Sequence, residues 1–468
     1  MTGQTRFVGL ALLAMGLIPI PSGVAQDKEE SEDATFIVVT PRRLRGSLSS
    51  YLTHKRRQLS TEFVALELVL KEADGADDPE RLKRYLYDAW RNRGTRYVLL
   101  VGDADVLPVR YMVLDRVTPA AFDYAFYPSD LYYADVAKPD GSFDDWNARR
   151  DGFHAGYFGE VRGEKNKDDP INYDAVDYHP ELAVGRWPVS TPKEARTVAA
   201  KTIRYERAIE KDRGVGLRRA ALIAVGGWVD ARGRMDRMAG KLPAGWTVEK
   251  RYYSDDKHKP GTPPPNEEQL VTLINDGVGL LLHTGHGTDN RWEHCLSVKT
   301  LGRLDNADRL PIMLSAGCST ACLATLPPYE AYVDVEGAEH EGTNNGEVFT
   351  APPPPPTPWP RGAHNKTGLG EQLLRCDLNG AVAYFGCNTG SQPCGITLLD
   401  GFVEALRTQK QPRLGDCWIG AVTYYYDREK LATLKPTESW YPASIFFQGM
   451  KFMLFGDPTL LMPAPKAE

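Results

Sequence analysis

Short apolar runs bounded by turn residues recur along the chain, separated by stretches in which apolar positions repeat at helical spacing. Phe36 to Thr40 and Tyr97 to Val101 are continuous apolar or β-branched runs with the length of one buried strand. Between them Leu82, Tyr85, Leu86, Ala89 and Trp90 fall on one helical face, with Asp78 as N-cap, Pro79 at the first helical position and Gly94 as the stop. A second amphipathic helix opens at Thr191 and Pro192 and places Ala195, Val198, Thr202 and Ile203 on its stripe. The basic, Gly-containing stretch 211–216 then reads as a boundary. Beyond it the alternation restarts, with strands over 220–225 and 246–253 and a helix opened by Asn266, with Gln269 at the capping-box position, and closed near Gly277. Apolar runs follow at 278–283, 310–314 and 381–386. Strands alternating with helices predict an α/β fold with a mostly parallel sheet flanked by helices, whose ligands bind at the carboxyl ends of the strands.

Two segments break the pattern. Arg6 precedes the apolar run Phe7 to Ile18, then come Pro19, Pro21 and the small-residue stretch Ser22 to Ala25, which together predict a secretory signal cleaved after Ala25. That run is shorter than the roughly 20 apolar residues that span a bilayer, so no membrane association is expected after cleavage and the destination is secreted or periplasmic. The other is 327–360, with six acidic and no basic residues from Tyr329 to Thr350 and then five consecutive prolines, Pro352 to Pro356. Such a composition predicts an inserted surface loop without a packed element. The chain therefore divides into a signal (1–25), a disordered acidic segment (26–35), an N-terminal α/β subdomain (36–214) and a second domain (215–463) carrying the Pro-rich insertion.

Composition narrows the function. Against 62 acidic residues stand 56 basic ones, a net charge of −6, which provides no field for holding nucleic acid. The 43 glycines and 34 prolines among 468 residues fall short of a fibrous or low-complexity polymer. All seven cysteines (Cys295, Cys318, Cys322, Cys376, Cys387, Cys394 and Cys417) lie in the second half, and none has CxxC spacing, so no zinc site is indicated. In an exported protein the odd count leaves one thiol unpaired, while the other six have the parity for up to three disulfides.

Reactive groups stand at two predicted strand ends. VGLLLHTGHG carries His283 and His286, and LPIMLSAGCST carries Cys318. If the two strands are parallel neighbours, His286 and Cys318 share one sheet edge, where an imidazole can take the thiol proton and the thiolate can attack a carbonyl. Gly287 allows close backbone approach, so its N–H and that of Cys318 are candidate oxyanion donors. His283 is expected to be a packing residue and His294 a loop residue. A separate stretch, Asp140, Asp144, Asp145, Asn147, Asp151 and Glu160, offers the oxygen ligands that Ca²⁺ takes, the alternative being a solvated acidic loop. Competing readings are a metal-dependent hydrolase built on His283 and His286, and a catalytically silent adhesion or scaffold protein.

HTGHG followed by LPIMLSAGCST resembles the His-Gly and Ala-Cys signatures of the clan that includes caspases, legumains and gingipains. The segments YVLLVGD (97–103), SDLYYAD (129–135), PELAVGRWPVST (180–191), GAVAYFG (380–386) and LFGDPTL (454–460) are similar to the gingipain-type branch and run in its order. The resemblance implies a caspase-like fold preceded by a smaller α/β subdomain, and cysteine endopeptidase activity on protein or peptide substrates with no cofactor in the chemistry. It implies Cys318 as nucleophile, His286 as general base, Gly287 and Cys318 as oxyanion donors, and Glu181 as the carboxylate orienting the histidine. It also implies Asp-rich, often Ca²⁺-binding loops after the YYAD segment. Gly317 stands where that signature usually has Ala, a small-for-small departure. The acidic stretch Glu330 to Glu347, close in sequence to Cys318, predicts a preference for basic substrate residues.

Overall fold

Each apolar run becomes a buried strand. In chain order the strands are β1 (Phe36–Thr40), β2 (Thr61–Ala65), β3 (Tyr97–Val101), β4 (Tyr111–Asp115), β5 (Tyr124–Pro128), β6 (Phe158–Val161), β7 (Ala183–Trp187), β8 (Arg219–Ala224), β9 (Thr247–Tyr252) and β10 (Leu280–Thr284). There follow β11 (Gly287–Thr288), β12 (Arg291–Trp292), β13 (Leu296–Ser297), β14 (Ile312–Ser315), β15 (Tyr332–Val333), β16 (Glu339–His340), β17 (Ala383–Cys387) and β18 (Phe452–Phe455). The computed structural model describes residues 1, 35–117, 122–212, 214–256, 259 and 261–463. The expected signal and acidic segments, Met1 and Thr35 apart, lie outside the described residues. Among those described, no helix is long and apolar enough to cross a membrane.

Ten strands form one sheet in the order β2-β1-β3-β7-β18-β17-β14-β10-β8-β9. Pairing is parallel throughout except between β17 and β18, so the sheet consists of two oppositely running halves. The seam between β7 and β18 is a single residue pair, Arg186 with Phe455. Gly185 sits at that seam because a Cβ there would come within 2.2 Å of the Gly456 carbonyl oxygen. Both faces are covered by helices, and a smaller sheet, β5-β4-β6, packs beside the main one. Its link to the main sheet is ionic: Arg186, fully buried on β7, grips Asp130 through two 2.7 Å hydrogen bonds and donates to the Gly102 carbonyl at 2.9 Å.

Local signals placed most elements to within a few residues. The first predicted helix spans Asp78–Arg93, but its N-cap is Asp77, whose carboxylate accepts from the Glu80 N–H, and Gly94 closes it in the left-handed conformation. Asn266 caps the helix Glu267–Asp276 by accepting from the Gln269 N–H, as the capping signal predicts. The Pro-rich insertion is a correction: it is packed. β15 and β16 pair as a hairpin, Tyr332 is buried, and the Pro353 and Pro354 carbonyls accept from the hydroxyls of Tyr157 (2.7 Å) and Tyr332 (3.0 Å). A run of prolines makes no internal hydrogen bonds, so its carbonyls are available to such donors. The expectation of a loose loop rested on the acidic residues and the proline run and not on the aromatic surface the segment meets.

A buried ionic cluster fastens the last strand to the first helices. Lys55 Nζ, with no exposed side-chain surface, lies 2.7 Å from Asp457 Oδ2 and 2.7 Å from Thr459 Oγ1, and also contacts Glu206. The Tyr51 hydroxyl donates to the same Asp457 carboxylate at 2.7 Å. Burial alone would raise the Asp457 pKa, but Lys55 and the surrounding donors override it and hold the carboxyl below its ordinary value. Replacing Lys55 by Met would leave the buried Asp457 carboxylate without its cation and Glu206 with the His54 ring at 2.9 Å alone. Lys55→Met is expected to lower unfolding free energy by about 3–5 kcal/mol, read from the denaturant midpoint; a loss below about 1 kcal/mol would show that the cluster is not holding the strand.

Candidate active site

β10 and β14 run side by side and parallel, in the register Leu280 to Ile312 through His283 to Ser315. Both chains leave the sheet at the same edge and remain in backbone contact beyond it. The Ala316 N–H donates to the His283 carbonyl at 3.0 Å, and a Cβ added to Gly287 would lie 3.0 Å from the Cys318 carbonyl oxygen and 3.3 Å from Gly317 Cα. The loop that carries His286 and Gly287 therefore meets the loop that carries Cys318 at one edge. A Cβ at 287 would also press to 2.6 Å of Thr320 Cγ2, so any larger residue would push the two loops apart or move that side chain.

Cys318 is half-buried at the tip of its loop, and the next residue, Ser319, has the positive φ of 55° that turns the chain sharply back. The turn is pinned to the loop that follows β17: the Ser319 N–H donates to the Thr389 carbonyl at 2.8 Å and the Ala321 N–H to that of Cys387 at 2.9 Å. From that loop the Ser391 N–H donates to Cys318 Sγ at 3.3 Å.

His286 is exposed, and its Nε2 lies 2.8 Å from the Gly227 carbonyl oxygen at the end of β8. A carbonyl only accepts, so the proton of the neutral ring sits on Nε2 and the free lone pair is on Nδ1. Gly227 has φ 78°, and a Cβ there would press to 2.6 Å of His286 Cδ2. The position is thus restricted to glycine both by backbone conformation and by the ring it supports.

Glu181 does not orient the histidine. Its Oε2 accepts from the backbone N–H groups of Val136 (2.9 Å) and Ala137 (3.1 Å). Because the sheet halves run oppositely, the start of β7 and the end of β10 do share an edge. Yet β7 stands four strand positions from β10, about 19 Å at the usual strand spacing, which no glutamate side chain bridges. The orienting group seen here is the Gly227 carbonyl instead.

His283 is a packing residue. It is fully buried, stacks on Trp292 with centroids 4.5 Å apart, shares a 2.9 Å hydrogen bond with Ser315 Oγ, and burial pushes its pKa down to about 3. It faces the core while His286 faces Gly227, so the two do not converge as metal ligands. His294 lies on an exposed turn beside Glu293.

The six residues considered for calcium each make other contacts, although Asn147 Oδ1 and Glu160 Oε1 are buried without a hydrogen-bond partner. Asp140 accepts from Ser142, Asp144 from the Trp146 N–H, Asp145 pairs with Arg150, Asp151 with Arg149, Asn147 donates to the His154 and Ala155 carbonyls, and Glu160 contacts His154. Among the described residues no group of three or more His, Cys, Asp or Glu side chains converges to hold a metal ion. The disulfide expectation also fails, since all seven cysteines are free thiols, Cys318 and Cys322 included. Burial pushes the thiols of Cys322 and Cys387 up to about 12 and raises those of Cys295, Cys376, Cys394 and Cys417.

Sequence reasoning missed Gly227 and Ser391. Both follow apolar runs, GGW after β8 and NTGSQ after β17, so asking what stands beyond the carboxyl end of every parallel strand would have found them.

The sequence profile of peptidase family C25 matches residues 29–463. Gingipain R2 of Porphyromonas gingivalis is 23% identical over 417 residues, covering 88% of this chain and 47% of the relative. Lys-gingipain of the same organism is 28% identical over 173 residues, 34% of this chain. The chain thus spans about half the length of the gingipain R2 it matches. In three dimensions it is similar to the crystal structure of gingipain R, an Arg-specific cysteine proteinase, with TM-score 0.60 and 17% identity over 93% of this chain and 79% of that one. It is also similar to a complex of gingipain pro- and mature domains from the same organism, with TM-score 0.58 and 16% identity over 91% of this chain and 79% of that one. At these identities the likeness carries the fold.

The tautomer gives a test that needs no substrate. Long-range ¹H–¹⁵N spectra should show His286 protonated at Nε2, and Gly227→Ala should replace that state by a mixture. An unchanged tautomer in the variant would remove Gly227 from the orienting role.

Proposed function

The chain belongs to peptidase family C25, and from that premise we propose that it is a cysteine endopeptidase acting through Cys318 and His286. Family membership implies protein substrates. The observation that carries the reading is the setting of the Cys318 sulfur, half-buried at a strand end, receiving an N–H from Ser391, and backed against the His286–Gly287 loop. Cys376 is the other cysteine that is not fully buried, but its sulfur faces the Asn379 carbonyl at 3.3 Å, an acceptor that favours the protonated form.

The chemistry follows from the tautomer. His286 Nδ1 takes the thiol proton, and the thiolate attacks the substrate carbonyl to form a C–S bond. The oxygen that gains charge is received by the backbone N–H groups of Gly287 and Cys318. The imidazolium then gives its proton to the departing amine, leaving an acyl-enzyme, which a water deprotonated by Nδ1 hydrolyses. Through both halves the Gly227 carbonyl holds the ring by its Nε2–H, so only one nitrogen trades protons with substrate.

Export to an extracellular or periplasmic space is part of the proposal and rests on residues 1–25. Preference for basic substrate residues rests on fewer charges than the acidic stretch contains. Glu330 is paired with Lys366, and His340 stands between Glu347 (2.7 Å) and Asp334 (3.1 Å). The uncompensated carboxylates are the exposed Glu336, Glu339 and Glu341.

Cys318→Ala and His286→Ala are each expected to reduce turnover of an unfolded polypeptide about 10³-fold or more without altering the unfolding midpoint. Retention of about a tenth of wild-type turnover in either folded variant would contradict the dyad. Digestion of a complex peptide mixture, with cleavage sites read by mass spectrometry, should show Lys or Arg before the scissile bond and a preference that weakens with salt. Sites dominated by Asp or Asn would contradict the charge argument.

A further inference from the structure

We propose that Gln448 is a positioning residue for the Cys318 thiolate, acting through the Ser391 loop. This rests on Cys318 being the reactive thiol. Gln448 ends the helix Tyr441–Gln448 and is fully buried beneath the loop that follows β17. Its Oε1 accepts from the Gln392 N–H at 3.1 Å, and its Nε2 donates to Ser391 Oγ at 3.2 Å. One planar amide therefore fixes two successive residues, using its acceptor for one and its donor for the other.

Of the two residues it fixes, Ser391 faces the sulfur. The Ser391 N–H donates to Cys318 Sγ at 3.3 Å, and the Ser391 carbonyl oxygen lies 3.8 Å from the same atom. That carbonyl shares its peptide plane with the Gln392 N–H that Gln448 holds, so the amide side chain sets how this plane faces the thiol. The N–H serves the thiolate and the carbonyl serves the thiol, so the balance between them bears on which form is favoured. The near end of the loop is anchored separately, by the Asn388 N–H to the Lys451 carbonyl (2.9 Å) and by Lys451 Nζ to the Gly390 carbonyl (3.3 Å). On the far side the Gly395 N–H donates to the Gln392 carbonyl at 2.8 Å, and Gln448 supplies the side-chain contacts to residues 391 and 392.

Other titratable groups face the sulfur from neighbouring elements. His286 stands on the loop after β10, and Cys387 lies on β17 with its thiol pushed up to about 12 by burial. Lys451, whose pKa burial lowers, sits beyond Cys387. Gln448 Nε2 also lies 3.9 Å from Cys387 Sγ, a contact that Ser391→Ala leaves in place, so the Ser391 variant separates an effect of the loop from an effect through Cys387.

Gln448→Met keeps the length of the side chain and loses both hydrogen bonds to the loop together with the 3.9 Å contact to Cys387 Sγ, whereas Ser391→Ala removes one acceptor and keeps the backbone N–H. Wild-type and variant full-length chains are exposed briefly to iodoacetamide at about pH 6 and about pH 9.5, and labelling at Cys318 is quantified by peptide mass spectrometry. Labelling of Gln448→Met at the lower pH should be about three- to ten-fold slower than wild type, that of Ser391→Ala slower by less, and both should match wild type at the higher pH. Wild-type rates at the lower pH in both variants, or losses of equal size at both pH values, would overturn the positioning role, the second because it signals altered access. If Gln448→Met does not fold, Ser391→Ala decides by the same criterion. Polypeptide cleavage is assayed on the same wild-type sample, so the peptidase reading can fail while the thiol result stands.

Discussion

Everything at the candidate site hangs on the parallel pairing of β10 with β14. The register from Leu280–Ile312 to His283–Ser315 delivers both chains to one edge at the same height, and the glycine-lined loops beyond it keep their backbones in contact. A slip of one residue would turn His283 outward and lift Cys318 away from the loop that supports it. Two further strands complete the set. β8 contributes the Gly227 carbonyl that orients His286, and β17 contributes the Ser391 N–H that meets the sulfur. Four neighbouring strand ends thus bring together the Gly227 carbonyl, the His286 ring, the Cys318 thiol and the Ser391 N–H.

Using a carbonyl to hold the histidine has a chemical consequence. A buried carboxylate beside the ring would favour imidazolium before substrate arrives. The neutral Gly227 carbonyl fixes the tautomer and leaves Nδ1 basic. The carboxylate named by resemblance, Glu181, lies at the same edge but on the far half of the sheet, where two backbone N–H groups occupy it. The antiparallel step between β17 and β18 brings β7 to that edge, and the four intervening strand spacings keep its carboxylate out of reach.

Which parts were legible in the sequence follows from how local each signal is. Strands buried on both faces announce themselves as apolar runs, and Asn266 and Gly94 mark helix ends by chemistry confined to a few residues. His286 and Cys318 were found because both end such runs. The reversal at β18 was not legible, since LFGDPTL reads the same whichever way it pairs. Nor was the packing of the Pro-rich insertion, in which the Pro353 carbonyl meets Tyr157 from 196 residues away. Gln448 lies 56 residues from the Gln392 N–H it binds and carries no local pattern at all.

The central claim is that one thiol of seven is set apart by its place at the sheet edge. The direct test is brief iodoacetamide treatment of native, unreduced protein at neutral pH, mapping every cysteine and following polypeptide cleavage in the same samples. Cys318 should label first, with activity falling in proportion while the six thiols raised by burial remain unmodified. Active protein in which Cys318 is found in a disulfide, or full alkylation of Cys318 with cleavage unimpaired, would contradict it.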